Sequence, residues 1–284
     1  MMADSQVSVG GSLIYAWNLL KQHWRAMWAV LALVSLAGTV DVAGAYAMNN
    51  TLLIAGGVAQ LITKIVLYGA VFRLAFADRH PADPAFALGH AGLQWGRMEW
   101  RLLGAGALLL LFLAIMAVLG LVVVSAVALG IIMNHGGAAP PTTPQAVLAA
   151  LGQDGQTVVS VVLTLALMGL IYCYVRLSLT FPATADSGKV SVLGSWTLTK
   201  SHGWRILGAL ILLQLPLMLL ETLIAAAVGG DGGPGTGAPM SAETAMLSAL
   251  AIGAVFGCVI SPLSAGVLAY YYRHPSGPPP GGAS

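Results

Sequence analysis

Three charged side chains stand inside long apolar runs of this sequence: Asp41, Lys64 and Glu221. A charge at mid-bilayer costs about 2.5 to 3.5 kcal/mol even on the lenient insertion scale, so such residues face the protein interior or water and mark sites of proton or ion chemistry. Asp41 follows Trp24 by 17 residues and Glu221 follows Trp204 by 17. At 1.5 Å per residue this puts both carboxylates at one depth, about 25 Å from those tryptophans. Lys64 precedes Arg73 by nine residues and so lies about 13 Å from the same side. Gln60 is one turn from Lys64 on the same face; Gln214 is two turns before Glu221, with Pro216 between them freeing a backbone carbonyl. The expectation is a polar cluster of Asp41, Gln60, Lys64, Gln214 and Glu221. Its chemistry would be proton- or cation-linked, with two near carboxylates sharing one proton. The plainer role is a hydrogen-bonded pin that holds helices in register.

The elements that would position this cluster follow from composition. Only 8% of residues are charged and 58% are hydrophobic, far from the roughly 25% charged of soluble domains. Six apolar runs are long enough, or nearly so, to cross a bilayer core of about 30 Å: residues 26–48, 52–72, 102–133, 158–175, 206–228 and 245–272. Lipid offers the backbone no partner, so each run is expected to be a helix; the alternation of a membrane barrel is absent. The expected fold class is therefore all-α, a single polytopic membrane domain over residues 1–275. Gly/Pro-rich connectors, "NHGGAAPPTTPQ" and "GGDGGPGTGAP", separate the third run from the fourth and the fifth from the sixth, and residues 276–284 read as a disordered Pro/Gly tail.

The runs come in pairs. "HWRAMWA", "MEWRLLGA" and "GWRILGA" open the odd-numbered runs, and "YGAVFR", "YCYVR" and "YYYR" close the even-numbered ones. Three pseudo-repeated hairpins result, over about 9–80, 81–182 and 183–275. Trp and Tyr prefer the headgroup zone with Arg just beyond it. Trp24, Arg25, Arg73, Trp100, Arg101, Arg176, Trp204, Arg205 and Arg273 are accordingly expected to be interface anchors. Eleven of the 12 Lys and Arg fall on one side of the spans and the twelfth is Lys64; the positive-inside rule then makes both termini cytoplasmic, in an inner (plasma) membrane. Each hairpin is preceded by an expected amphipathic interfacial helix. The first carries Leu13, Trp17, Leu20 and Trp24; the second starts at Asp83 and Pro84 and aligns Phe86, Leu93 and Trp100. The third starts at Asp186 or Ser187 and carries Val192 or Leu193, then Trp196. Lys21 with His23 and Lys200 with His202 repeat as a pair, which at the rim reads as anchoring.

Other features are modest. Cys173 and Cys258 sit in apolar runs and read as packing residues. "GAVFG", Gly253 to Gly257, is a small-residue stripe expected to pack within the chain. The "NNT" at Asn49 matches a glycosylation acceptor but abuts the membrane. The N-terminus lacks a basic n-region, so no cleaved signal peptide is expected. Phosphate loops, metal-ligand spacings and hydrolase triads are absent, so neither a cofactor, a metal nor an enzymatic activity is expected. A net charge of +2 implies no nucleic-acid partner.

The stretch Tyr174 to Leu213, with Arg176, Pro182, Ala183, Ser195, Trp196, Trp204 and Arg205, resembles the membrane domain of bacterial glycerophosphodiester phosphodiesterases and related uncharacterised six-pass proteins. The acidic residue such proteins often carry after Pro-Ala would be Asp186, somewhat displaced. No polar segment is long enough for the soluble diesterase domain, so the resemblance implies a membrane module. The expected function is a non-enzymatic integral membrane module that organises a protein partner or lipids at the cytoplasmic face. The alternative is a small transporter or permease using the intramembrane cluster. Membrane lipids and a membrane or cytoplasmic protein are the expected partners.

Overall fold

The computed structural model describes residues 7–134, 143–200, 202–228 and 242–274. The expected disordered tail, the extreme N-terminus and most of the two Gly/Pro-rich connectors lie outside them. Among the described residues there are helices and turns but no strand. The helices are α1 (Val9–His23), α2 (Trp28–Tyr46), α3 (Asn50–Phe76), α4 (Arg97–Asn134), α5 (Pro144–Leu177), α6 (Thr180–Ser187), α7 (Gly194–Leu198), α8 (Gly203–Val228), α9 (Ala242–Val255) and α10 (Ser261–Arg273). Six helical stretches are long and apolar enough to cross a membrane: five are α2, α3, α8 and the longer stretches that include α4 and α5. The sixth joins α9 and α10 through a π turn at Phe256–Ile260.

Local chemistry sets the boundaries. Ser8 accepts the Gly11 N–H at 3.0 Å and starts α1, and Thr143 accepts the Ala146 N–H at 3.2 Å to start α5. Between α2 and α3 the chain turns on Met48 at φ 49°, and the Asn49 side chain caps Thr51 and Leu52. Gly44 makes that reversal possible, because a Cβ there would sit 2.6 Å from the Leu53 nitrogen. The π turn precedes Pro262, which has no N–H; Ser261 reaches back five residues to the Phe256 carbonyl before the α ladder resumes. At 38 residues, α4 is about 57 Å long and projects beyond a bilayer core, as its long apolar run implied.

Packing ties the first span to both the second and the last. α2 lies between α3 and α9. A Cβ on Gly253 would come 2.6 Å from the Thr39 nitrogen, and one on Gly257 2.6 Å from the Ser35 Cα, so the backbones touch along the expected small-residue stripe. The stripe packs within the chain, and Cys258 Sγ lies 3.2 Å from Ser35 Oγ in the same seam. The main core sits at the end where the spans carry their arginines. There Leu67, Phe72, Phe76, Leu179, Ile206 and Val267 are almost completely buried. The Phe72 ring stacks on Phe76, and Tyr272 meets Phe76 edge-on at 5.6 Å.

The three segments that lead into the hairpins differ from one another. The first is α1, which buries Ser12, Ala16 and Leu20 against α10 at the close approach of Gly266 to Ala16. The second is not the expected helix. Asp83 does cap Ala85 at 2.8 Å, but the segment makes only two three-residue turns, Pro84–Phe86 and His90–Gly92. The reason is in its residues: Ala91 and Gly92 adopt positive φ (54° and 78°), and Gly92 packs its Cα side on Met27 and Val30, where a helix could not run. The third also departs from expectation. Asp186 and Ser187 end α6 instead of opening a helix, because Gly188 at φ 63° closes it, and Trp196 sits on the five-residue α7.

Candidate functional site

The arginine-bearing end of the bundle is the richest in polar chemistry. Arg73 and Glu99 form an ion pair of 2.6 Å with side chains 2% and 0% exposed. Arg73 also donates from Nε to the Ala85 carbonyl at 2.9 Å, and Glu99 accepts the Gly96 N–H at 2.8 Å. Arg73 is therefore not the headgroup anchor its place in "YGAVFR" suggested: the irregular second lead-in folds over it, and a buried guanidinium takes a carboxylate in place of phosphate. Asp186 is a second hub. It holds His80 Nε2 at 3.0 Å, the Tyr272 hydroxyl at 3.0 Å and Arg79 at 3.4 Å, so one carboxylate ties α6 to the loop after α3 and to α10. Arg273 donates to Asp78 and to the Ala75 carbonyl. The Arg273 hydrogen bond holds the Asp78 carboxyl below the usual carboxylate range.

Among the described residues four acidic side chains thus face eleven basic ones at this end, and all four are engaged within the protein, the fourth being Asp83 at its cap. By contrast Lys21, Arg25, Arg97, Arg101, Lys189 and Lys200 are exposed and belong to no ion pair among the described residues. Exposed tryptophans interleave with them: Trp17, Trp24, Trp28, Trp95, Trp100 and Trp204. Trp24, Trp100 and Trp204, with Arg25 and Arg101, are thus exposed side by side at this end. Arg205 is exposed but donates to the Val7 carbonyl at 2.7 Å, and Arg273 is committed inward.

His202 lies beneath this surface, 3% exposed, with its ring 5.8 Å from that of Tyr271. Burial first, then the positive charges of Arg205 and His274, push its pKa below the ordinary histidine value. A depressed pKa means the unfolded chain binds the proton more readily. The stability this histidine contributes is complete above the ordinary value of about 6.5 and is lost as pH falls toward the folded value. The apparent melting temperature in detergent should fall between pH 7.5 and pH 5.5, and His202→Gln should flatten that dependence; equal slopes for both proteins would refute the assignment.

The expected intramembrane cluster is only partly assembled. Lys64 and Gln214 line one cavity of about 380 Å³ between α3, α5, α8 and α10, with Tyr68, Tyr174 and Ser261. The Lys64 ammonium sits 4.4 Å from the Phe256 ring centroid, on the π turn. Asp41 stands at the α2–α3 crossing, where Gly56 meets its backbone, and its charge acts on Lys64. The Gln60 amide reaches the Gly38 side of α2, 3.5 Å from the position of a Cβ there. Glu221 is exposed on α8 and its charge acts on Tyr46. No hydrogen bond or ion pair links Asp41 to Glu221, so the shared-proton arrangement is not formed. Equal depth along two helices does not bring side chains together when the helices present them in different directions.

Comparison with protein-family models, with curated proteins and with solved structures found no match. The site is therefore read from its own geometry. Two of its members escaped the sequence reading. Glu99 was treated as part of the word "MEWR", although it alone among the three span entries places a carboxylate beside the Trp-Arg. Asp186 stands in the sequence as a possible start of the third lead-in helix and in the family resemblance, and its role as a hub depends on contacts with residues about a hundred positions away.

Proposed function

We propose that this chain is a non-enzymatic integral inner-membrane module, with both termini cytoplasmic, that gathers anionic lipids at its cytoplasmic face and there presents them, or itself, to a protein partner. One observation carries the reading: at the basic end every described carboxylate is engaged within the protein, at a cap or with a cation, while six unpaired cations and six exposed tryptophans remain outside. Such a surface attracts an anionic leaflet at about 1 kcal/mol per juxtamembrane cation, and the indoles fix its depth. The resemblance of Tyr174 to Leu213 to a six-pass membrane domain points the same way. The transporter alternative loses support because the two carboxylates it needs are not joined.

The test is quenching of tryptophan emission by brominated phospholipids in reconstituted vesicles. Brominated phosphatidylglycerol diluted into phosphatidylcholine should quench more than the reverse mixture at equal bromine content, and the excess should shrink as salt is raised. Equal quenching by the two lipids at low salt would defeat the proposal.

A further inference from the structure

We infer that the seam between α5 and α8 is a binding site for one anionic phospholipid, sharing Lys200 and Trp204 with the diffuse basic collar and adding Arg176 to it. The inference rests on the functional reading above and makes it specific. A groove of about 400 Å³ runs between these helices, walled by Ile171 and Val175 from α5 and by Trp204, Leu207 and Ile211 from α8. From Arg176 to Met168 it is eight residues long, about 12 Å, most of the depth of one leaflet's hydrocarbon. Ile171, Met168, Ile211 and Trp204 are exposed, so the groove opens sideways toward the apolar surroundings.

At its head stand Arg176 and Lys200, and no carboxylate lines it. The Arg176 guanidinium lies 5.0 Å from the Trp196 ring centroid and 5.7 Å from that of Tyr172, and those two rings meet edge-on at 6.0 Å. The Thr199 hydroxyl donates to the Arg176 carbonyl at 2.8 Å, which ties α7 to the end of α5. Arg176 is thus held in place instead of swinging freely, yet it has no ion pair and its Nε is buried without a hydrogen-bond partner. A fixed guanidinium without an ion pair, beside a flexible ammonium and above an apolar slot, matches a phosphate with an acyl chain below it. The chain gains little by leaving one apolar medium for another, so selectivity must reside in the headgroup charge.

The experiment is native mass spectrometry of the detergent-purified protein titrated with dioleoyl phosphatidylglycerol or dioleoyl phosphatidylcholine, counting lipids bound. The wild type should bind a first phosphatidylglycerol more tightly than later ones and more tightly than phosphatidylcholine. Arg176→Gln with Lys200→Gln should weaken that first event about 25-fold, at roughly five-fold per cation. Lys21→Gln with Arg25→Gln, on the collar away from the groove, should leave it within about two-fold. Ile211→Trp, which fills the groove and spares every charge, should also remove the tight first event while circular dichroism stays unchanged. If both charge pairs weaken binding equally, or if Ile211→Trp binds like the wild type, the groove is not a site and the collar alone accounts for the preference. No preference for phosphatidylglycerol in the wild type would overturn the groove and the functional reading together.

Discussion

Replacing Arg73 with Met is expected to cost about 3 to 5 kcal/mol, because it leaves the Glu99 carboxylate buried without its cation. Both side chains are essentially inaccessible, and the pair has been given room: a Cβ on Gly69, one turn before Arg73, would collide with the Glu99 carboxylate. Against a total stability of about 5 to 15 kcal/mol the loss is large, and the apparent melting temperature in detergent should drop by roughly 10 °C. The companion variant Arg73→Met with Glu99→Leu removes both charges and should recover most of that loss. It leaves the Gly96 N–H and the Ala85 carbonyl without these partners, a residue of about 1 to 3 kcal/mol. Thermal unfolding of the two variants side by side decides the matter. If the double variant were no more stable than the single one, the pair would not be the isolated, mutually compensating unit that its burial implies.

Gly257→Val should be the next most damaging single change. A Cβ at Gly257 would lie 2.6 Å from the Ser35 Cα, backbone that cannot step aside without prising α2 from the last span. Overpacking of this kind costs about 1 to 3 kcal/mol, and contact with backbone instead of a flexible side chain puts it at the upper end. Gly169→Ala provides the contrast, since nothing lies within 4 Å of its added carbon; it should be neutral or stabilise the helix by up to about 1 kcal/mol. Because the stripe packs inside the chain, Gly257→Val should lower the melting temperature without changing the mass measured by light scattering. A change of oligomeric state at unchanged stability would show that the stripe serves a contact between chains instead.

The parts of the fold that were legible in the sequence are those governed by lipid's refusal to hydrogen-bond. Six apolar runs had to be helices, and their number and order match the six candidate spans, although the third and fourth helices begin well before their apolar runs, at Arg97 and Pro144. The intrachain role of Gly253 and Gly257 was legible too, because small residues at four-residue spacing have a narrow range of uses. The short elements between spans were not. Apolar spacing in "DPAFALGHAGLQW" suggests a helix, but Gly92 at φ 78° supplies a backbone freedom that tertiary contact exploits, and the chain wraps Arg73 instead of lying flat. The polar cluster was half legible for a related reason. Depth along a helix follows from counting residues, whereas the direction a side chain takes depends on crossing angles that the sequence does not display. Lys64 and Gln214 therefore share a cavity, while Glu221 points elsewhere. The buried Arg73–Glu99 pair differs in kind: its acidic member is the one letter of the repeated span entry that the other two copies lack, and its partner Arg73 is 26 residues away.

The most direct test of the central claim is native mass spectrometry of the protein released gently from its own membrane with its adhering lipids. A basic end whose described carboxylates are all engaged within the protein predicts retained lipids enriched in anionic species relative to the bulk membrane, with or without a stoichiometric protein partner. Retained lipids of bulk composition and no bound partner would contradict it.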